Sequence, residues 1–244
     1  MITDLLPAGI SAVEAFDDTV PVVLYPEEEA ALGKAVEKRR HEFTTGRRCA
    51  REALAGLGLP PAPIVPGPNR EPVWPAGVIG SITHCAGYRA AVVALDSVLA
   101  TVGIDAEPNA PLPAGVLAEI ALPAEQRRLA QLQRVDPAVC WDRLLFSAKE
   151  SVYKAWFPLA QRWLDFHEAD IDLDPAARTF TARLFVPGAE LADGSALTGF
   201  TGRWLASRGL VISAIALPAT TPRTAPARAT GPSSRTTDPQ PAQG

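Results

Sequence analysis

Hydrophobic and polar positions along this 244-residue chain fall into helical and strand-like stretches. From about Pro26 to Leu57, the run EEEAALGKAVEKRRHEFTTGRRCAREALAGL is rich in the helix formers Ala, Glu, Lys and Arg. Gly56, Gly58, Pro60 and Pro61 supply its stop signal. A second long helix is predicted from about Ala138 to Trp156, AVCWDRLLFSAKESVYKAW, closed by Pro158. A shorter one, Pro123 to Gln133, carries Glu125 in its first turn, where the helix dipole favours an acid. The first helix is followed by GVIGSITH and YRAAVVALD. After the second come IDLD, FTARLFV, FTGRWLAS and LVISAIAL, strand-like segments separated by the turn formers DPAA, PGAELADG and SRG.

The two long helices share an echo. Phe43, Arg47 and Arg51 are spaced four apart, and so are Phe146, Glu150 and Lys154. An aromatic thus starts a row of charged residues on one face of each. Two short matches of this kind also arise by chance. Together with the strand pairs after each helix, the pattern predicts an α+β fold. Its form would be a pseudo-dimer of two similar halves, residues 1–100 and 101–217, each a long helix packed on a small antiparallel sheet. Residues 218–244 contain six of the 24 prolines and no large apolar side chain. Such a segment cannot offset the entropy of ordering, and a disordered tail is expected.

Composition narrows the class. Hydrophobic residues make up 47% and charged residues 20%, as in soluble globular proteins able to bury a core without staples. The formal charge is −4, and the tail's three arginines against Asp238 leave the body still more acidic. A general nucleic-acid binder needs the opposite sign. Cys49, Cys85 and Cys140 are odd in number and match no zinc-ligand spacing. No secretory segment precedes them, and no apolar run approaches the ~20 residues that span a bilayer. The expectation is a soluble, cytoplasmic protein that engages neither nucleic acid nor membrane.

Four local patterns bear on chemistry. In TVGIDAEP an extended strand puts Asp105 and Glu107 on one face, and Pro108 biases Glu107 toward extended geometry. Two repelling carboxylates suit a hard cation such as Mg²⁺, although on spacing alone a solvated strand end is the simpler reading. In FSAKESVYKAW, Glu150 and Lys154 form an i,i+4 pair. That is either an ordinary surface ion pair or a third metal acid beside a phosphate-directed lysine. Arg39 and Arg47 share a helical face and suit phosphate, against the common alternative of a solvated basic face. Finally, GPNREPVWP leads into SITHC, where Thr83 and His84 end a strand. His41 and His167 have no comparable setting, so a His-based metal site is not expected.

In their order and spacing, WPAGVIGSITHC, VGIDAEP and FSAKESVYKAW resemble a 4′-phosphopantetheinyl transferase. The similarity is to the large monomeric type that activates peptide, polyketide and siderophore synthases, and most of all to its actinobacterial branch. It spans roughly Arg39 to Trp156. The resemblance implies a pseudo-dimer with coenzyme A in the cleft between the halves. Asp105, Glu107 and Glu150 match the family's metal acids, for Mg²⁺ with Mn²⁺ as the alternative. Lys154 matches the catalytic-region lysine, and Glu150 and Asp105 are counted with it in the catalytic set. Arg39, Arg47, Thr83 and His84, with Asp105 and Lys154, fall among the positions that hold coenzyme A, and Arg70, Glu71 and Pro72 where its adenine is bordered. Pro66 stands where some relatives carry a lysine. The implied partners are apo acyl and peptidyl carrier domains. The competing reading is a non-catalytic module that binds coenzyme A or another nucleotide, for which the three acids would be unnecessary.

Overall fold

The computed structural model describes residues 1–220 and shows an α+β fold of two antiparallel sheets, each covered by a 20-residue helix. In the smaller sheet β1 (Ser11–Ala15), β3 (Tyr88–Leu95) and β2 (Val78–Cys85) lie in that order. The larger sheet runs β4 (Leu99–Pro108), β8 (Leu210–Pro218), β7 (Gly199–Ser207), β6 (Thr179–Leu184) and β5 (Ala169–Asp174). The helices are α1 (Pro26–Leu32), α2 (Glu37–Gly56), α3 (Val116–Ile120), α4 (Pro123–Val135) and α5 (Trp141–Ala160). Among the described residues no helix is long and apolar enough to cross a membrane, and the three cysteines are free.

Several boundaries differ from expectation. The long first helix is broken between α1 and α2, because Gly33 adopts φ 54°, a conformation that side-chain-bearing residues avoid. Arg40 then folds back to bind Glu29 at 2.6 Å, stapling α1 to α2. The second helix does not stop at Pro158. That proline sits in the last turn, where its missing N–H forfeits a single bond, and α5 ends instead at left-handed Gln161. The short third helix runs on to Val135. Of the expected tail, Pro218 ends β8 and the Ala219 N–H donates to the Val98 carbonyl at 3.0 Å, while 221–244 lie outside the described residues.

Strand β1 has no sequence signal because its acid points inward. Glu14 accepts from Tyr88 Oη at 2.5 Å and from the Ile2 N–H at 2.9 Å, so the hydrophilic letter marks a buried polar contact.

Period-two alternation divides the apolar residues of β3 between two cores. Ala91 and Val93 pack with Cys49, Ala53 and Leu54 of α2, whereas Ala90 and Val92 face the other sheet. There they meet Val102 and Ile104 of β4 and Ile212 of β8. A third core lies between α5 and the larger sheet, around Trp141, Trp156, Phe180 and Trp204.

The two sheets abut along the edge strands β2 and β4 without a backbone ladder. Side-chain hydroxyls take its place. Ser81 Oγ accepts the Ile104 N–H and Thr83 Oγ1 accepts the Ala106 N–H, both at 3.1 Å. Two buried edge donors that would otherwise be orphaned are thereby satisfied.

Candidate functional site

Two cavities of about 390 Å³ each lie along the junction of the sheets and share Arg70, Pro72 and Ile82 in their walls. They form one cleft with a basic end and an acidic end.

The basic end is built by α2, β2 and the loop before it. Arg39, Phe43 and Arg47 come from successive turns of one helical face, opposite Pro66, Arg70 and His84. Arg39 Nη1 stands 2.9 Å from His84 Nε2. A guanidinium only donates, so Nε2 carries a lone pair and the ring is neutral there. Burial holds His84 below the usual imidazole pKa and Arg39 adds to that, while Glu42, 3.7 Å from Nδ1, works against it. Arg47 is fixed more firmly. Its Nε donates to the Ile64 carbonyl at 2.8 Å, and its guanidinium carbon lies 3.9 Å from the Phe43 ring centroid. Burial lowers its pKa to about 10, which leaves it charged at neutral pH. Arg51, the third member of the helical echo, turns away to buried Glu28 and the Val23 carbonyl.

The 67–71 turn separates the two ends. Gly67 N–H donates to the Glu71 carbonyl at 2.7 Å and Glu71 Oε2 accepts the Asn69 N–H at 2.9 Å. Arg70 at its tip takes φ 69°, a strained left-handed conformation. Arg70 and Pro72 line both cavities, whereas Glu71 lines the acidic one.

Behind the acidic end, whose wall includes Glu150 and Lys154 but neither Asp105 nor Glu107, alternation along β4 turns those two acids toward α5. The close approach depends on Gly103: a Cβ there would overlap the Ser151 carbonyl oxygen and stand 2.7 Å from the Ala155 nitrogen. Lys154 does not form the expected bond with Glu150. Its Nζ lies 2.7 Å from Asp105 Oδ1 and 3.1 Å from the Ile104 carbonyl. Glu107 Oε2 accepts from Arg143 Nη1 at 3.1 Å. Thr83 Oγ1 also donates to Asp105 Oδ1, at 3.2 Å. Thr83 is 2% exposed, lines neither cavity and is committed to the seam and to Asp105.

Asp105 Oδ2 is buried with no hydrogen-bond partner. Burial raises the pKa of Glu107, the Asp105 charge adds to it, and Arg143 and Lys154 oppose it. Burial likewise raises Glu150, with Lys154 opposing and Asp105 adding. Among the described residues no group of three or more Asp, Glu, His or Cys side chains is arranged to hold a metal ion. The three acids are thus neighbours in one field and not a preformed cage. An orphaned carboxylate oxygen flanked by two reluctant acids fits a hard, oxygen-seeking dication.

Sequence reasoning passed over Arg143, which lies two helical turns before Glu150 and so on the same face of α5. Lys149 has another duty. Its ammonium is buried against Glu125 at 2.9 Å and donates to the Phe166 and Ala169 carbonyls, pinning α5 to α4 and β5. Tyr153 faces the cleft, with its ring 4.9 Å from that of Trp163.

Comparison with known proteins adds independent findings. Residues 27–94 match a family model described as the 4′-phosphopantetheinyl transferase N-terminal domain, and residues 101–198 match that of the 4′-phosphopantetheinyl transferase superfamily. The chain is 56% identical over 222 residues to the 4′-phosphopantetheinyl transferase Svp of Streptomyces mobaraensis, covering 90% of each. It is 47% identical over 223 residues to Npt of Nocardia iowensis, covering 88% of this chain and 99% of that one. To PptT of Mycobacterium tuberculosis it is 47% identical over 226 residues, covering 89% and 98%. Both relatives carry the same 4′-phosphopantetheinyl transferase name.

Proposed function

Because this chain belongs to the 4′-phosphopantetheinyl transferase superfamily, we propose that it transfers the 4′-phosphopantetheine arm of coenzyme A to a serine of apo acyl and peptidyl carrier domains, releasing 3′,5′-ADP. The observation that carries this reading is the continuity of the cleft. A cavity with three arginines and a histidine opens, past Arg70 and Pro72, onto one with Glu150, Tyr153 and Lys154. A ligand whose phosphates lie between a basic wall and a metal-binding set of acids, with an uncharged arm beyond them, suits that polarity.

In this reading Arg39, Arg47 and His84 bind the phosphates of coenzyme A, and Arg70, Glu71 and Pro72 border its adenine. Asp105, Glu107 and Glu150 are the residues that would hold Mg²⁺, or Mn²⁺ in its place. Such an ion supplies charge stabilisation to the pyrophosphate when bound. The carrier serine Oγ attacks the phosphorus that bears the pantetheine arm. The bond from that phosphorus to the bridging oxygen breaks, and 3′,5′-ADP leaves with the electron pair. The serine proton passes to Glu150, a water beside it being the alternative base. Lys154, already held by Asp105 and the Ile104 carbonyl, keeps one N–H to offer the leaving phosphate. In this reading residues 1–100 supply the phosphate grip and residues 101–217 the acids, and the enzyme works as a monomer in the cytoplasm.

The test is intact mass of an apo carrier domain after incubation with coenzyme A and Mg²⁺. One phosphopantetheine group should be gained, an equal amount of 3′,5′-ADP should appear, and a chelator should stop both. A panel of carriers left unmodified would sink the transferase reading and leave a module that only binds coenzyme A or a nucleotide.

A further inference from the structure

Arg143 is the cation of the acidic end that the proposed reaction does not use. Its three nitrogens each have an acceptor. Nε donates to the Ala110 carbonyl at 3.0 Å, Nη2 to the Pro111 carbonyl at 2.9 Å and Nη1 to Glu107 Oε2 at 3.1 Å. Its side chain is 17% exposed and that of Glu107 20%. A surface ion pair between two free-swinging side chains contributes little. Here the guanidinium is held by two backbone carbonyls before it meets the carboxylate, so its fork is pre-organised.

The segment those carbonyls belong to is itself fastened to the start of α5. Asp142 Oδ2 accepts the Leu112 N–H at 2.8 Å, Asn109 Oδ1 accepts the Cys140 N–H at 2.8 Å and Asn109 Nδ2 donates to the Ala138 carbonyl at 2.9 Å. Arg143 is the member of this group that reaches Glu107. Among the described residues no protein hydrogen bond goes to the other carboxylate oxygen, Oε1. Asp105 shows the same division, with Oδ1 bound by Lys154 and Thr83 and Oδ2 without a partner. Each acid of the pair thus has one oxygen fixed by the protein and one without a protein partner, the latter buried in Asp105.

We propose that Arg143 is a positioning residue for the divalent cation: anchored on the Ala110 and Pro111 carbonyls, it fixes one oxygen of Glu107 and so presents the other. This rests on the reading that Asp105, Glu107 and Glu150 hold the metal. Partners that orient a metal-binding carboxylate typically contribute about tenfold to a hundredfold in metal affinity.

The experiment counts free Mn²⁺ by electron paramagnetic resonance in the presence of saturating coenzyme A, a readout independent of turnover. Arg143→Ala should weaken Mn²⁺ binding by about tenfold to a hundredfold, while the affinity for coenzyme A measured in chelator stays within about twofold. Arg143→Lys restores the charge but not the three-way fork, and should fall between wild type and Arg143→Ala. Asp142→Ala frees the same segment at Leu112, which loosens the anchor but keeps the guanidinium, and should bind Mn²⁺ more tightly than Arg143→Ala does. Asp105→Asn tests the underlying metal reading and should lose the ion.

Arg143→Ala or Arg143→Lys binding Mn²⁺ as wild type does, while Asp105→Asn fails, overturns the positioning role and leaves the metal reading standing. Equal losses in Asp142→Ala and Arg143→Ala also overturn it, since the segment and not the guanidinium would then be responsible. If Asp105→Asn and Glu107→Gln both retain wild-type Mn²⁺ affinity, the metal reading itself is wrong and the proposal goes with it. Should Arg143→Ala not fold, the comparison of Arg143→Lys with wild type decides.

Discussion

Arg39 donates to His84 Nε2 across 2.9 Å, so the two basic groups that face one cavity are bonded to each other and the imidazole is neutral on that side. A phosphate entering there would take both as donors, and its negative charge favours the imidazolium form of His84. The charges around it are Arg39 and Glu42 from α2, Lys154 from α5 and Arg89 from β3.

Coenzyme A binding is therefore expected to take up a proton. The ligand-free pKa of His84 lies below the usual 6.5 and a bound phosphate raises it. Affinity should be highest below the ligand-free pKa and fall as pH rises through the window between the two values. Calorimetry at pH 7 in buffers of different ionisation heat measures the uptake. His84→Gln should abolish it, and comparing the two proteins removes the phosphate's own titration.

Glu150→Gln separates stability from activity. A carboxyl whose folded pKa is raised binds more protons folded than unfolded, so its contribution to stability declines as pH rises above the unfolded value near 4. The neutral amide lacks that penalty. In chelator the variant should melt higher than wild type at pH 7, with the gain fading as pH falls toward about 4. Turnover should drop by about a hundredfold or more. Equal melting at both pH values would contradict the assignment.

Arg47→Lys is not conservative here, because lysine can neither keep the Nε bond to the Ile64 carbonyl nor stack flat on Phe43. Coenzyme A binding should weaken by about 1.5–3 kcal/mol, the range for a hydrogen bond to a charged group. The magnesium concentration for half-maximal rate should stay near the wild-type value. Titrating rate against each ligand in turn checks the division of the cleft into a phosphate end and a metal end.

Gly103→Ala should push α5 away from β4, since the added methyl meets the backbone of Ser151 and Ala155 and not a movable side chain. Overpacking of this kind costs about 1–3 kcal/mol. The displacement also loosens Lys154 from Asp105 and Ile104. A lower denaturant midpoint together with reduced turnover is expected. An unchanged midpoint would show that the helix shifts at no cost.

Glu14 and Gly33 mark where the sequence pattern misleads. Glu14 carries the letter of a solvent-exposed residue, yet its carboxylate is the hub that orders β1 against Tyr88. Gly33 lies inside a run of strong helix formers, and only its positive φ reveals a break. Both outcomes depend on partners that local propensity does not register.

By itself the sequence determined the α+β class, most strands, the two long helical regions and the ordered motifs that identify the family. All of these are written in short-range spacing: period two in the strands, period 3.6 in the helices, and Asp105 beside Glu107 on one strand face. The tertiary structure decided which charges meet. Lys154 reaches Asp105 across 49 positions of chain and Arg143 reaches Glu107 across 36. Thr83 closes the seam onto Ala106 from 23 positions away. Sequence spacing favoured Glu150 with Lys154, because residues four apart on a helix are neighbours. Packing β4 against α5 overrode that preference: the fold brought a buried carboxylate to the lysine, and an unpaired charge out of water is far costlier than an exposed helical pair is stabilising.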